Sequence, residues 1–451
     1  MTKRNSVGRI LQGQKTMSLG LHRDCVKRLS EKIADLLAQV KVKNRVFLDW
    51  ESAVTLIRAE SIMPKSGDLT RVLEEYVGET PLFSFLYNHL SERLAKTQEY
   101  DSSSLSLLLQ ELKGYEDLTA IAQRLVSDFE SLPWDYCLTI KFDNRFGDFF
   151  ARTLKEYSLG DSVRLVSPDD TFERDFPLGD DVGTNDAPSL GDLVGIPGTG
   201  PRKWDQSSTY IQVSVDGFMG SFLTTGAISR ATSLLKAFCG MGIALQLFEV
   251  KHTYRLAPTK LRYTIHHSET GIWVMDRSGV LEATVSDTYR DLCFRYAGED
   301  EQLDSKWVEW VKGRLDKIKC AFENPERARK LLLASQWLFD SLGGTNELLS
   351  FVQAMVVLEI LLGSKTDSEA TGLGALLRNR CAYLISKTHQ QREDIQVMFK
   401  DIYDVRSKIV HSGKSNLNMR ERELFTHLQR MCRRVIQEEV ELLVGDERKN
   451  K

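Results

Sequence analysis

The chain has 451 residues, 60 Lys and Arg against 63 Asp and Glu, and a formal net charge of −3. That length accommodates two or three domains with separate cores, and 42% hydrophobic with 27% charged residues is the composition of an ordinary soluble protein. No apolar run reaches membrane-spanning length, and the basic N-terminus lacks the apolar core of a signal peptide. Seven dispersed cysteines with no CxxC pair exclude a disulfide scaffold and favour reduced thiols in a cytoplasmic setting.

In chain order, Leu21, Cys25, Leu29, Ile33, Leu36 and Val40 trace the first helical stripe. Helical patterns follow over Leu69–Tyr76, Leu82–Leu94 and Leu105–Leu132, punctuated by Pro64, Pro81 and Pro133. Residues 1–133 are therefore expected to be an α-helical region. From Trp134 the pattern changes. Tyr136–Phe142, Tyr210–Val215 and Gly271–Met275 alternate as strands, with helical patterns near Phe146–Tyr157 and Ile228–Phe248. Residues 134–283 accordingly read as a mixed α/β, sensor-like domain. Half of the ten prolines fall between Pro168 and Pro201, so residues 160–205 are expected to form an acidic surface insertion. The glycine-rich stretch Gly195–Lys203 lacks the GK[ST] ending of a phosphate loop and reads as a plain loop. His266-His267 has no third ligand at useful spacing. Trp307 and Trp310 are expected in a helix core. Leu331–Leu362 reads as helix, and residues 284–451 form the third, helical region.

Within that region, Phe399, Ile402, Val405 and Ile409 make one apolar stripe, and Arg406 falls within it. A guanidinium placed there requires an anionic partner or a subunit interface. Five positions on stands His411, about 140° round a regular helix. Gly413 is a helix stop, and unwinding of the last turn is expected to bring the imidazole towards Arg406. Arg and His are enough to cleave RNA through its own 2′-hydroxyl without a metal, because one clamps the phosphate and the other moves protons. The structural alternative is an Arg paired with Asp404 or Glu359 and a His capping free carbonyls. Thirteen Lys or Arg stand against six acidic residues between Arg378 and Arg434. Lys408, Lys414, Arg430, Arg433 and Arg434 are the expected RNA-binding residues, and Arg420 and Arg422 extend the basic face.

Three stretches occur in order: "FVQAMVVLEILLG", then "LLRNRCAYLI", then "MFKDIYDVRSKIVHSG". This arrangement resembles the Apea-like branch of the HEPN superfamily over residues 325–445. In that family an "LExLL"-like helix precedes an "LRxRxAxL" helix and an "IYxxRSxxxHG"-like motif. The resemblance implies a multidomain α and α+β chain ending in a HEPN-type helical bundle. It also implies a homodimer with a composite cleft and no cofactor or metal. Arg406 and His411 become the catalytic pair, with Ser407, Asp404 and Glu359 supporting. Ser407 stands where the wider superfamily often has Asn, Asp or His, and Ser412 intervenes before Gly413. The implied activity is a metal-independent endoribonuclease acting on tRNA or mRNA, an effector of bacterial anti-phage defence controlled by a phage-derived trigger or an inhibitory partner. Some family members are non-catalytic dimerisation or ligand-binding modules, which is the alternative function.

Overall fold

The computed structural model describes residues 19–102, 106–142, 145–179, 203–220, 226–251, 260–269, 271–294, 305–344, 346–364 and 372–450. The fold is mixed α and β. Its chain divides into two compact units: residues 1–136 with 215–232 and 267–271, and residues 137–214 with 233–266 and 272–451. Among the described residues no helix is long and apolar enough to cross a membrane.

The first unit is built from α1 (Arg23–Leu37), α2 (Trp50–Leu56), α3 (Asp68–Tyr76), α4 (Pro81–Thr97) and α5 (Leu118–Glu130). Asp49 and Asp117 cap α2 and α5 by accepting backbone N–H groups of Ser52 and Ala120. Leu29, Ile33 and Leu36 of α1 pack with Phe85, Leu125 and Phe129 in one core. The expected all-helical character needs correction. A three-stranded sheet, ordered β2 (Phe47–Leu48), β1 (Lys41–Lys43), β3 (Leu107–Leu108), interrupts it. The helical pattern from Leu105 fails because Gly114 at φ +86° and the Asp117 cap delay the helix to Leu118.

A six-stranded sheet runs in the order β10 (Ile272–Val280), β9 (Arg262–Glu269), β4 (Trp134–Phe142), β7 (Thr209–Gly217), β6 (Val163–Val166), β5 (Glu156–Ser158). β6 pairs antiparallel with β5 and β7, with Leu165 opposite Ile211 and Val163 opposite Val213. Both flanks of the expected insertion belong to the fold. Leu165, Phe172 on α7 (Asp170–Asp175), Phe176 and Trp204 are buried, and the Trp204 indole donates to the Phe176 carbonyl. Residues 180–202, including most of the glycine-rich stretch, lie outside the described residues. α6 (Arg145–Thr153) and α8 (Gly226–Ala244) supply Phe146 and Phe238 to an aromatic cluster with Phe142, Phe248 and Tyr289. β8 (Phe248–Val250) pairs with β11 (Leu292–Phe294), just beyond α9 (Ala283–Arg290).

The rest of the second unit is helical: α10 (Ser305–Glu323), α11 (Arg329–Leu342), α12 (Glu347–Leu362), α13 (Leu373–Ile385), α14 (His389–His411) and α15 (Met419–Asn450). Leu331–Leu362 is two helices, not one. Gly343 and Gly344 end the first, and the Asn346 side chain caps the second by accepting from the amides of Leu348 and Leu349. α12 packs against α11, α13, α14 and α15, so it is the central rod. Its Phe351, Ala354, Met355 and Leu358 are fully buried. Trp307 and Trp310 are half-buried rather than core, stacked edge to face with Arg314 over the Trp310 ring.

Candidate functional site

α14 begins at Thr388, whose hydroxyl accepts the Gln391 amide. Phe399, Ile402 and Val405 are buried and fix which side of the helix turns inward. Arg406 follows at the edge of that face. Its Nη2 lies 3.5 Å from Glu359 Oε1 on α12, with the two side chains 23% and 25% exposed. Neither Arg406 Nε nor Glu359 Oε1 makes a hydrogen bond, although both atoms are out of solvent. The pair is thus matched in charge but under-bonded, an arrangement that leaves guanidinium donors for a second anion.

α14 stays helical through His411, where the Ser412 amide bonds the Lys408 carbonyl and Gly413 turns the chain at φ +63°. The expected unwinding of the last turn does not occur, because the glycine lies beyond the histidine and not within the turn. His411 is exposed and about 140° round the helix from Arg406. One chain therefore presents the two residues at one helix end without joining them. Ser407 is half-buried, whereas Asp404 and Lys408 are exposed.

Beyond the motif, Asn418 and Glu421 form a reciprocal cap at the start of α15, each backbone N–H bonding the other's side chain. Lys414 Nζ lies 3.0 Å from Glu421. Burial opposes ionisation of Glu421, but the Asn418 amide, Lys414 and Lys408 outweigh it and hold its carboxyl below the ordinary value. Arg420 and Arg422 are paired with Asp401 and Glu347 at 2.9 and 3.0 Å. The Arg434 guanidinium donates to the Ile385 carbonyl at the end of α13. The expected basic face is therefore largely engaged in internal pairs, with Lys408 and Arg430 exposed.

A cavity of about 460 Å³ is lined by Arg430, Arg433 and Arg434 together with the end of α8 and strand β8. Neither Arg406 nor His411 lines it. The three arginines were legible as one helix face, but the opposing wall, nearly 200 residues away in sequence, was not. His266 is buried, and its ring bonds the Pro177 carbonyl; burial pushes its pKa down to about 4. No family model matches the chain, and neither a curated protein nor a solved structure matches it.

Proposed function

We propose that the chain is a metal-independent endoribonuclease of the HEPN type, acting in the bacterial cytoplasm as an effector of anti-phage defence. The observation that carries the reading is Arg406, half-buried beside Glu359 with an unbonded Nε, five residues before an exposed His411 at the end of the same helix. The three stretches that carry the resemblance lie on α12, α13 and α14, and α12 packs against α13, α14 and α15.

In the proposed reaction the 2′-hydroxyl attacks the adjacent phosphorus as a base removes its proton. The bond to the 5′-oxygen then breaks, and an acid returns a proton to that leaving oxygen. The products are a 2′,3′-cyclic phosphate and a 5′-hydroxyl. His411 moves the proton at one of these oxygens, and Arg406 bonds the phosphoryl oxygens as their charge grows. Since the unbroken helix turns His411 away from Arg406, the proposal takes a homodimer in which two helix ends share one cleft. Exposed Val410 within the motif, and Val397 and Met419 on either side of it, are apolar surface for such a pairing. A phage-derived trigger or an inhibitory partner controls access to the cleft.

A second reading, a non-catalytic dimerisation or ligand-binding module, is favoured by the internal pairing of Arg406, Arg420 and Arg422. Incubating the purified chain with tRNA or mRNA in EDTA, beside His411→Ala, separates the two. Cleavage by the parent chain alone, with cyclic phosphate ends, supports the enzyme. Equal cleavage by both proteins favours the module.

A further inference from the structure

α15 places Arg430, Arg433, Arg434 and Gln437 on one face through their i, i+3, i+4 and i+7 spacing. That face forms one wall of the 460 Å³ cavity, and the other wall is Ile243–Ala244, Gln246 and Phe248–Val250. All of these residues belong to the second unit.

Clustered arginines beside a helix end have an ordinary explanation, which is capping of its free carbonyls. Here that explanation fails. The last four carbonyls of α8 are those of Met241, Gly242, Ile243 and Ala244. They accept from the amides of Leu245, Leu247 and Gln246 and from the Gln437 side chain, respectively. The Leu245 carbonyl just beyond is bonded by Arg314. Each of these carbonyls already has a partner, so none is an orphan that needs Arg430 or Arg433 as a cap.

Internal pairing does not account for the charge either. Among the described residues, Arg434 alone of the three arginines donates a hydrogen bond, to the Ile385 carbonyl at the end of α13. Arg433 Nε is out of solvent and unbonded, and burial lowers its pKa, with Glu249 opposing that shift. Among the described lining residues Glu249 is the one carboxylate, set against three guanidiniums. The chain turns into this wall through Gln246 at φ +65°, a left-handed conformation uncommon for a residue other than glycine and costly to hold.

We propose that this cavity is a binding site for a phosphate-bearing small molecule, clamped by Arg430 and Arg433. Guanidinium forks match phosphate oxygens two at a time, and the volume falls in the roughly 300–1,000 Å³ range of small-molecule sites. Gln246 lines the same cavity and offers a neutral hydrogen-bonding group to the ligand. The site is separate from the Arg406 and His411 helix end, and the inference does not rest on ribonuclease activity.

The test is calorimetric titration of the full chain with inorganic pyrophosphate and, separately, with ATP, at constant ionic strength. One saturable site per chain is expected, with affinity reduced at least tenfold in both Arg430→Ala and Arg433→Gln. Arg430 is exposed, so its replacement keeps the fold even if Arg433→Gln does not, and a thermal melt of each free variant checks this. Binding of pyrophosphate alone or of both ligands supports the site as a phosphate clamp. Binding of ATP alone, lost in Arg430→Ala, supports it and adds contacts to the organic part. No saturable binding of either ligand, or wild-type affinity in a folded Arg430→Ala, overturns the proposal.

Discussion

Arg406 brings a positive charge to a half-buried position and meets one carboxylate, Glu359, at 3.5 Å. Removing that carboxylate leaves the guanidinium without a counter-charge. Glu359→Ala is expected to lower unfolding free energy by on the order of 1 kcal/mol in urea titration. Arg406→Ala, in the proposed enzyme, is expected to reduce RNA cleavage at least about a hundredfold, the loss usual for a transition-state donor. Glu421 makes a separate, pH-readable contribution. Its carboxyl is held below its ordinary value in the folded chain. The stability it adds is therefore complete above the unfolded value and is lost as pH falls through the lower, folded one. Urea unfolding measured from neutral pH into the acid range should show Glu421→Gln flattening that dependence, and at neutral pH the variant should keep the cap through its amide oxygen but lose up to about 1 kcal/mol with the Lys414 charge pair.

At the scale of elements, glycine decides how closely α8 meets α11. A Cβ built on Gly240 would lie 1.9 Å from the Ser335 carbonyl oxygen, so the two backbones touch only because that Cβ is missing. Lys236 and Asp340, one turn away on each helix, close the same contact with an ion pair at 2.9 Å. Gly240→Ala should cost about 1 to 3 kcal/mol, the range for overpacking, read as a lower urea midpoint with an unchanged slope. This contact was not legible in the sequence, where Ala237 to Ala244 reads as one small-residue helix turn after another. By contrast, α1, α3, α4 and α14 were legible because an apolar stripe with charges opposite is a strong periodic signal. β5, β6 and β9 were missed: the first two are three and four residues long, below the length at which alternation shows. Arg406 and His411 were legible by type and spacing, and Glu359 as the partner of Arg406. That α14 would remain regular to His411 was not, since Gly413 signals a stop without saying how many residues precede it.

For the whole molecule, the chain does not divide into successive blocks. The first unit takes residues 215–232 and 267–271 back from the middle of the sequence. α14, which carries both Arg406 and His411, shares its unit with most of the six-stranded sheet and with α8 beyond Thr232. Residues 284–451 alone would lack Lys236, Gly240 and Phe238 of that unit, so activity is best measured on the full chain. The net charge of −3 gives no bulk attraction to RNA, and any affinity must come from local groups such as Lys408 and Arg406. Binding should then weaken with salt only in proportion to a few phosphate contacts.

The most direct test compares two fluorescent oligoribonucleotides in EDTA, identical except for a single 2′-deoxy sugar at the cleaved position. The account predicts that the full chain cuts the all-RNA strand to a 2′,3′-cyclic phosphate, spares the substituted linkage, and loses activity in Arg406→Ala/His411→Ala. Cutting at the 2′-deoxy linkage, or activity that survives the double substitution, would contradict it.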